Sequence, residues 1–206
     1  MPVTRDTVLD WMRRFAAEVS EHREELVRLD TAIGDGDHGT NMDRGMRKAL
    51  EKLEADQPAE AGAVLKTVAM ALVSSVGGAA GPLYGTLFLQ MGGAMGDENP
   101  VDLPAFAAAS RKALEGVVAR GKAELGDKTM VDALTPAVEA LEQAPDLDTG
   151  LREAVAAAER GMKATIPLVA RKGRASYLGE RSKDHQDPGA TSTYYLYKSA
   201  AEALAG

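Results

Sequence analysis

The sequence predicts an all-α fold, a single antiparallel up-and-down bundle or barrel of eight helices, on three observations. Apolar residues recur at three- and four-residue intervals along most of the chain. Alanine is abundant, aromatic residues make up only 4%, and β-branched runs are scarce, which favours helices packed through small side chains. Gly, Pro and Asp interrupt the periodic stretches, and short links between helices imply antiparallel neighbours.

The elements follow in order. Val8, Trp11, Met12, Phe15, Val19 and Leu26 keep helical spacing in one long first helix, with Thr4 as its cap. A second helix is predicted from Gly39 to Leu53, with Met42, Met46 and Leu50 on one side. Pro58 opens the third, which ends near Ser75; the fourth follows Gly81-Pro82, proline being well placed at a first helical position. The fifth follows Asp102 and carries Phe106, Leu114 and Val117. The sixth follows Gly126-Asp127 with Met130, Leu134, Val138 and Leu141, and the seventh runs from about Asp148 to Val169. A long polar connection, Lys172 to Gly189, precedes the last helix, which ends near Leu204. No linker is rich enough in Ser, Gly or Pro to divide residues 1–206, so one domain is expected.

Composition excludes several classes of function. With 45% apolar and 27% charged residues the chain reads as globular, not disordered. A net charge of −7 argues against nucleic acid or an anionic membrane as partner. The absence of cysteine excludes disulfides and thiolate metal sites and fits a cytoplasmic protein. The longest apolar run, around Val68 to Val76, is too short for a bilayer, and charge at Arg13-Arg14 interrupts any signal-peptide pattern.

The most informative stretch is Leu29-Asp30-Thr31-Ala32-Ile33-Gly34-Asp35-Gly36-Asp37-His38-Gly39-Thr40-Asn41-Met42. Packed together, each carboxylate pair among Asp30, Asp35 and Asp37 repels by roughly 4 kcal/mol at an effective dielectric of ~20. A bound cation removes that repulsion, and oxygen-only ligands favour a hard ion such as Mg²⁺ or Ca²⁺. Glycines at 34, 36 and 39 suit positive φ and close approach to a ligand. The loop enters a helix, whose free N-terminal amides would face the same spot. Metal plus anion at one place suggests a Mg²⁺–polyphosphate site. An EF-hand is excluded, because its fifth, sixth and twelfth loop positions would hold Gly39, Thr40 and Met46. No Gly-Lys-Ser/Thr of a P-loop is present. The alternative is an acidic turn that caps the helix through Asp37, with His38 as an ordinary surface or capping histidine; in the site reading His38 donates to phosphate.

Three further stretches carry glycine where helices do not ask for it: Gly77-Gly78-Ala79-Ala80-Gly81-Pro82, Arg120-Gly121-Lys122 through Gly126-Asp127-Lys128-Thr129-Met130, and Gly173 to Ser192. The first is an interhelical turn or a backbone ledge against phosphate or sugar. Met130 is a core residue or an adenine contact. The third is long enough to be functional or mobile, with Arg174 and Arg181 available to steer anions.

Taken in this order over nearly the whole length, these stretches resemble the ADP-binding L subunits of phosphoenolpyruvate-dependent dihydroxyacetone kinase. The resemblance implies an eight-helix barrel with nucleotide across one open end. It implies that Asp30, Asp35 and Asp37 hold two Mg²⁺ ions that bridge to the diphosphate. His38, Gly39, Thr40 and Asn41 would meet the phosphates. Ala79, Ala80 and Gly121 would lie near phosphate, sugar or base, and Met130 against adenine. Arg174 and the turn Asp187-Pro188-Gly189 would close the site. Ala80 departs from the serine common in the family, so a side-chain hydroxyl contact is lost there while a backbone contact survives. Gly36 stands where relatives tolerate alanine.

The family also implies a mechanism. ADP stays bound as a coenzyme, a phosphohistidine on an M subunit converts it to ATP, and the γ-phosphoryl group passes to dihydroxyacetone on a K subunit. No catalytic nucleophile is expected in this chain. Two other modes are compatible with the same resemblance: an ATP-dependent kinase subunit that exchanges nucleotide freely, and a nucleotide-state sensor that binds a transcription regulator. A start at Met1 leads us to expect a free-standing subunit.

Overall fold

The computed structural model describes residues 3–96 and 100–205. Among them are nine α-helices and one 3₁₀ helix, and the single β-bridge, Val3 with Val101, belongs to no strand. The helices are α1 (Arg5–Glu21), α2 (Arg23–Ile33), α3 (His38–Asp56), α4 (Ala61–Ser75), α5 (Ala80–Met95), α6 (Leu103–Gly121), α7 (Val131–Gln143), α8 (Leu147–Ala164) and α9 (Pro188–Leu204), with the 3₁₀ helix at Arg174–Ser182.

The expected count of eight is corrected because the first helix is two. Its N-terminus is as predicted: Thr4 accepts from the Thr7 amide and completes a reciprocal capping pair. The break comes at His22, which ends α1 and begins α2 with φ −94° and ψ 13°. Contacts from the far end of the chain account for it. The Tyr195 ring stacks on His22 at 4.6 Å, and its hydroxyl donates to Glu25 at 2.7 Å. His22 Nδ1 lies 3.2 Å from the same Glu25.

The seventh predicted helix is shorter than expected. It is α8, which stops at Ala164. Pro167 disfavours helical backbone at Ile166. Thr165 also turns its hydroxyl onto the Met162 carbonyl at 2.6 Å. Asp102 caps α6 by accepting from the Ala105 amide, and Asp146, two residues before the predicted start, caps α8 through the Thr149 amide.

Helix packing follows the chain and then closes. Each of α3 to α9 packs on the next, α9 packs on α1, and α1 returns to α3, so eight helices form a closed circuit. The ninth, α2, stands beside the circuit and touches α3, α9 and the 3₁₀ helix. One apolar core fills the circuit, with Trp11, Phe15, Tyr84, Phe88 and Phe106 in mutual ring contact. Trp11 satisfies its buried N–H on the Leu196 carbonyl at 2.9 Å. A small second cluster, Ile33 with Ala170 and Ala175, pins the 3₁₀ region against the end of α2. No helix among the described residues is long and apolar enough to cross a membrane.

Candidate functional site

The turn between α2 and α3 builds the acidic cluster. Asp30 lies in the last turn of α2, while Asp35 and Asp37 follow in the turn. One carboxylate oxygen from each comes within 4.8 Å of the others. Asp30 is buried, and its Oδ2 accepts from the amides of Asp37 at 2.8 Å and His38 at 3.1 Å. Two of the amides expected to be free for an anion are therefore taken by Asp30. Asp37 occupies the cap position of α3, but its side chain makes no capping hydrogen bond, so the acidic-cap alternative fails in its specific form. Burial raises the Asp30 pKa, and Asp35 and Asp37 push the same way, against the two amides that hold the carboxylate. Asp30 Oδ1 and the exposed Asp35 and Asp37 supply the all-oxygen donor set that suits a hard divalent ion. The only ion pair to the cluster among the described residues is Arg174 Nε to Asp35 at 2.9 Å.

The glycines of this turn serve different ends. Gly36 has φ 74° and needs its freedom for the turn itself. Gly39 instead permits helix packing, since a Cβ there would sit 2.2 Å from the Arg23 carbonyl oxygen on α2.

A cavity of about 390 Å³ opens beside the acidic cluster. Asp30, Asp35, Asp37, His38, Ala79, Ala80, Met130, Arg174, Asp187, Pro188 and Gly189 all border it. A neighbouring apolar hollow of about 270 Å³ shares Ala79, Leu83 and Met130 with it and adds Gly121 and Val117. Three predicted contacts do not reach either space. Gly39 is a packing point, Thr40 is exposed away from the cavity, and the buried Asn41 accepts from Arg44 at 2.6 Å. Arg181 is also exposed and lines neither.

Sequence reasoning missed the polar floor. His38 Nε2 lies 2.9 Å from Ser192 Oγ, which is 2.7 Å from the Tyr84 hydroxyl; Tyr84 also meets Thr193 at 3.3 Å. Burial pushes His38 down to about 4 and Tyr84 up to about 12, so both are neutral near pH 7. Thr191, Ser192 and Thr193 are all buried. Three consecutive hydroxyl residues just inside a helix were the available signal. Asp187 caps α9 by accepting from the Ala190 amide at 2.7 Å, and its own amide donates to Thr165 Oγ1 at 3.0 Å. Burial raises Asp187 to about 7 despite that amide, with Asp132 adding to the rise and Lys128 opposing it.

The DAK2 domain family model matches residues 32–202. The chain is 44% identical over 207 residues to the ADP-binding subunit DhaL of the PEP-dependent dihydroxyacetone kinase of Escherichia coli, covering 98% of this chain and 99% of that protein. It is 39% identical to the corresponding subunit of the PTS-dependent kinase of Lactococcus lactis, covering 98% of this chain and all of the relative. The crystal structure of the dihydroxyacetone kinase of C. freundii superimposes with a TM-score of 0.75 at 25% identity, over 98% of this chain and 35% of that one. The same kinase in complex with AMP-PNP and Mg²⁺ gives 0.74 over 34% of its length.

Proposed function

The chain belongs to the DAK2 domain family, as an ADP-binding subunit of the phosphoenolpyruvate-dependent dihydroxyacetone kinases, and on that premise we propose where and how it holds nucleotide. The diphosphate lies in the larger cavity beside Asp30, Asp35 and Asp37, and the adenine lies in the apolar hollow against Met130, Leu83 and Gly121. The observation that carries this reading is the acidic cluster: three carboxylates converge with one exposed guanidinium for counter-charge, beside a cavity large enough for a nucleotide tail. Bound there, two Mg²⁺ ions supply charge neutralisation for phosphoryl transfer.

The residues of this chain bind, orient and exclude water. Asp30, fixed by two amides, presents its remaining oxygen without reorganisation. Neutral His38, held by Ser192, offers a hydrogen bond without adding charge. Arg174 sits at the rim on Asp35, from which it can turn onto an anion. The nucleotide serves as phosphoryl carrier between a phosphohistidine M subunit and a K subunit that holds dihydroxyacetone. Both would dock at the rim of the cavity, the nucleotide end of the helical barrel.

The test is direct. Protein purified without added nucleotide, then denatured, should release ADP stoichiometrically. An empty site that nonetheless binds ADP or ATP with Mg²⁺ would favour free exchange. Failure to bind either would remove the nucleotide reading.

A further inference from the structure

Residues 165–187 form a strap across the cavity. Lys172, Gly173, Arg174 and Tyr177 of the strap border the opening. The two feet of the strap meet at Lys128, which is 1% exposed and forms no ion pair among the described residues. Its Nζ lies 2.7 Å from the Thr165 carbonyl oxygen, 3.3 Å from that of Ile166 and 3.1 Å from that of Leu168, all on the outgoing foot. It also donates to the His185 carbonyl on the returning foot. Backbone contacts join the same feet, Asp184 N to Ile166 O at 2.8 Å and Asp187 N to Thr165 Oγ1 at 3.0 Å.

An ammonium has three N–H donors, yet four carbonyl oxygens surround this one. That is an ion's environment more than a set of three aligned donor–acceptor pairs. Rings of backbone carbonyls are how proteins replace the hydration shell of K⁺. Asp187, Asp184 and Asp132 favour the charge from a distance, while burial opposes it. The polypeptide has solved the neck with its own tethered charge.

We propose that Lys128 is a built-in monovalent cation whose ammonium fills a four-carbonyl cage and so holds the strap closed at its neck, over the nucleotide cavity. Lys128 is a positioning residue. Only the last clause rests on the function proposed above; the cage and the strap stand without nucleotide.

The experiment uses the full chain, nucleotide-free, as Lys128→Ala and Lys128→Met. Hydrogen–deuterium exchange over residues 166–186 is compared in potassium chloride and in choline chloride at equal ionic strength. In choline both variants should exchange the strap amides at least ~10-fold faster than the wild-type chain. In potassium the alanine variant, which leaves room for an ion, should recover most of the lost protection. The methionine variant, whose stem fills the same space without charge, should not. The wild-type chain should be indifferent to the salt. A strap equally loose in both salts in the alanine variant, or equally protected in both, overturns the proposal. If the alanine chain folds in neither salt, the methionine variant decides: wild-type protection there shows that the charge is unnecessary and overturns the proposal, while faster exchange confined to the strap supports it. Binding of ADP with Mg²⁺ by the wild-type chain is read separately. Its absence would remove the nucleotide reading and leave the cage standing.

Discussion

At Lys128 one buried positive charge meets four carbonyl oxygens, whereas on another wall of the same cavity three carboxylates meet a single exposed guanidinium. The first arrangement is complete within the polypeptide. The second is not, because Asp30 has one oxygen saturated by amides while Asp35 and Asp37 both repel it, and only Asp35 meets the guanidinium. Charge that the fold needs is matched inside the fold. Charge left unmatched at the mouth of a cavity marks where a ligand finishes the structure. The neck should therefore matter to the nucleotide-free protein, and the acidic turn to the bound one.

The largest effect that tests this contrast is expected from Asp35→Asn. Loss of an inner ligand should weaken ADP binding in Mg²⁺ by more than the ~10–100-fold typical of losing an outer partner. The nucleotide-free melting temperature should be unchanged or slightly higher, since one repulsive charge is gone. Calorimetric titration and a thermal melt of the same preparation check both halves. A variant that melts early and binds normally would make the acidic turn structural and erase the contrast.

Asp187→Asn sharpens it from the side of the neck. Burial raises the Asp187 carboxyl to about 7, and the more distant Lys128 ammonium, whose hydrogen bonds go to carbonyls, opposes that rise without cancelling it. Between about pH 4 and 7 the folded chain holds a proton here that the unfolded chain releases. Stability should fall as pH rises through that window and level off above it, by at most ~4 kcal/mol from this group. In the asparagine variant, which keeps a cap acceptor for the Ala190 amide, that part of the fall should vanish. Urea titrations of both nucleotide-free proteins at the two ends of the window decide it. Parallel pH profiles would mean that Asp187 is ionised in the folded state and that Lys128 does act as its counter-ion.

What was legible in the sequence divides along the same line. Glycine and aspartate patterns are local, so the acidic turn at Asp35-Gly36-Asp37 is readable as a site by itself, whereas Ala79-Ala80 joins it only through the family resemblance; the structure brings both to one cavity. The all-α class followed from periodicity in the same way. The break at His22 did not, because its cause is Tyr195, far along the chain, and no glycine or proline marks it. The early end of α8 has a local signal in Pro167, which competes with the helical periodicity that runs on to Val169. Lys128 looked like one polar residue in a glycine-rich turn. Its cage consists of backbone carbonyls, which carry no sequence signature. Gly39 shows the opposite hazard: a glycine inside a ligand-like motif whose lost side chain makes room for α2.

The smallest effect belongs to Arg174→Ala, where the two regions touch. Arg174 opens the 3₁₀ helix of the strap and pairs with Asp35 of the acidic turn, and its side chain is 66% exposed. An exposed pair of this kind contributes ~1 kcal/mol or less, so the nucleotide-free melting temperature should hardly move. In the bound protein the guanidinium would instead face the anion it helps to retain, a desolvated contact that is stronger. Release of ADP, followed by chase with excess unlabelled nucleotide, should therefore speed up by about the ~10-fold that a charge-assisted hydrogen bond provides. Lys128→Met should also speed release, but by loosening the neck, so its effect should come with faster strap exchange before any nucleotide is added. Arg174→Ala should leave that exchange as it is. If instead Arg174→Ala loosens the strap in the nucleotide-free protein, then the pair with Asp35 is a fastening of the fold, and the acidic turn is less open to a ligand than its charge suggests.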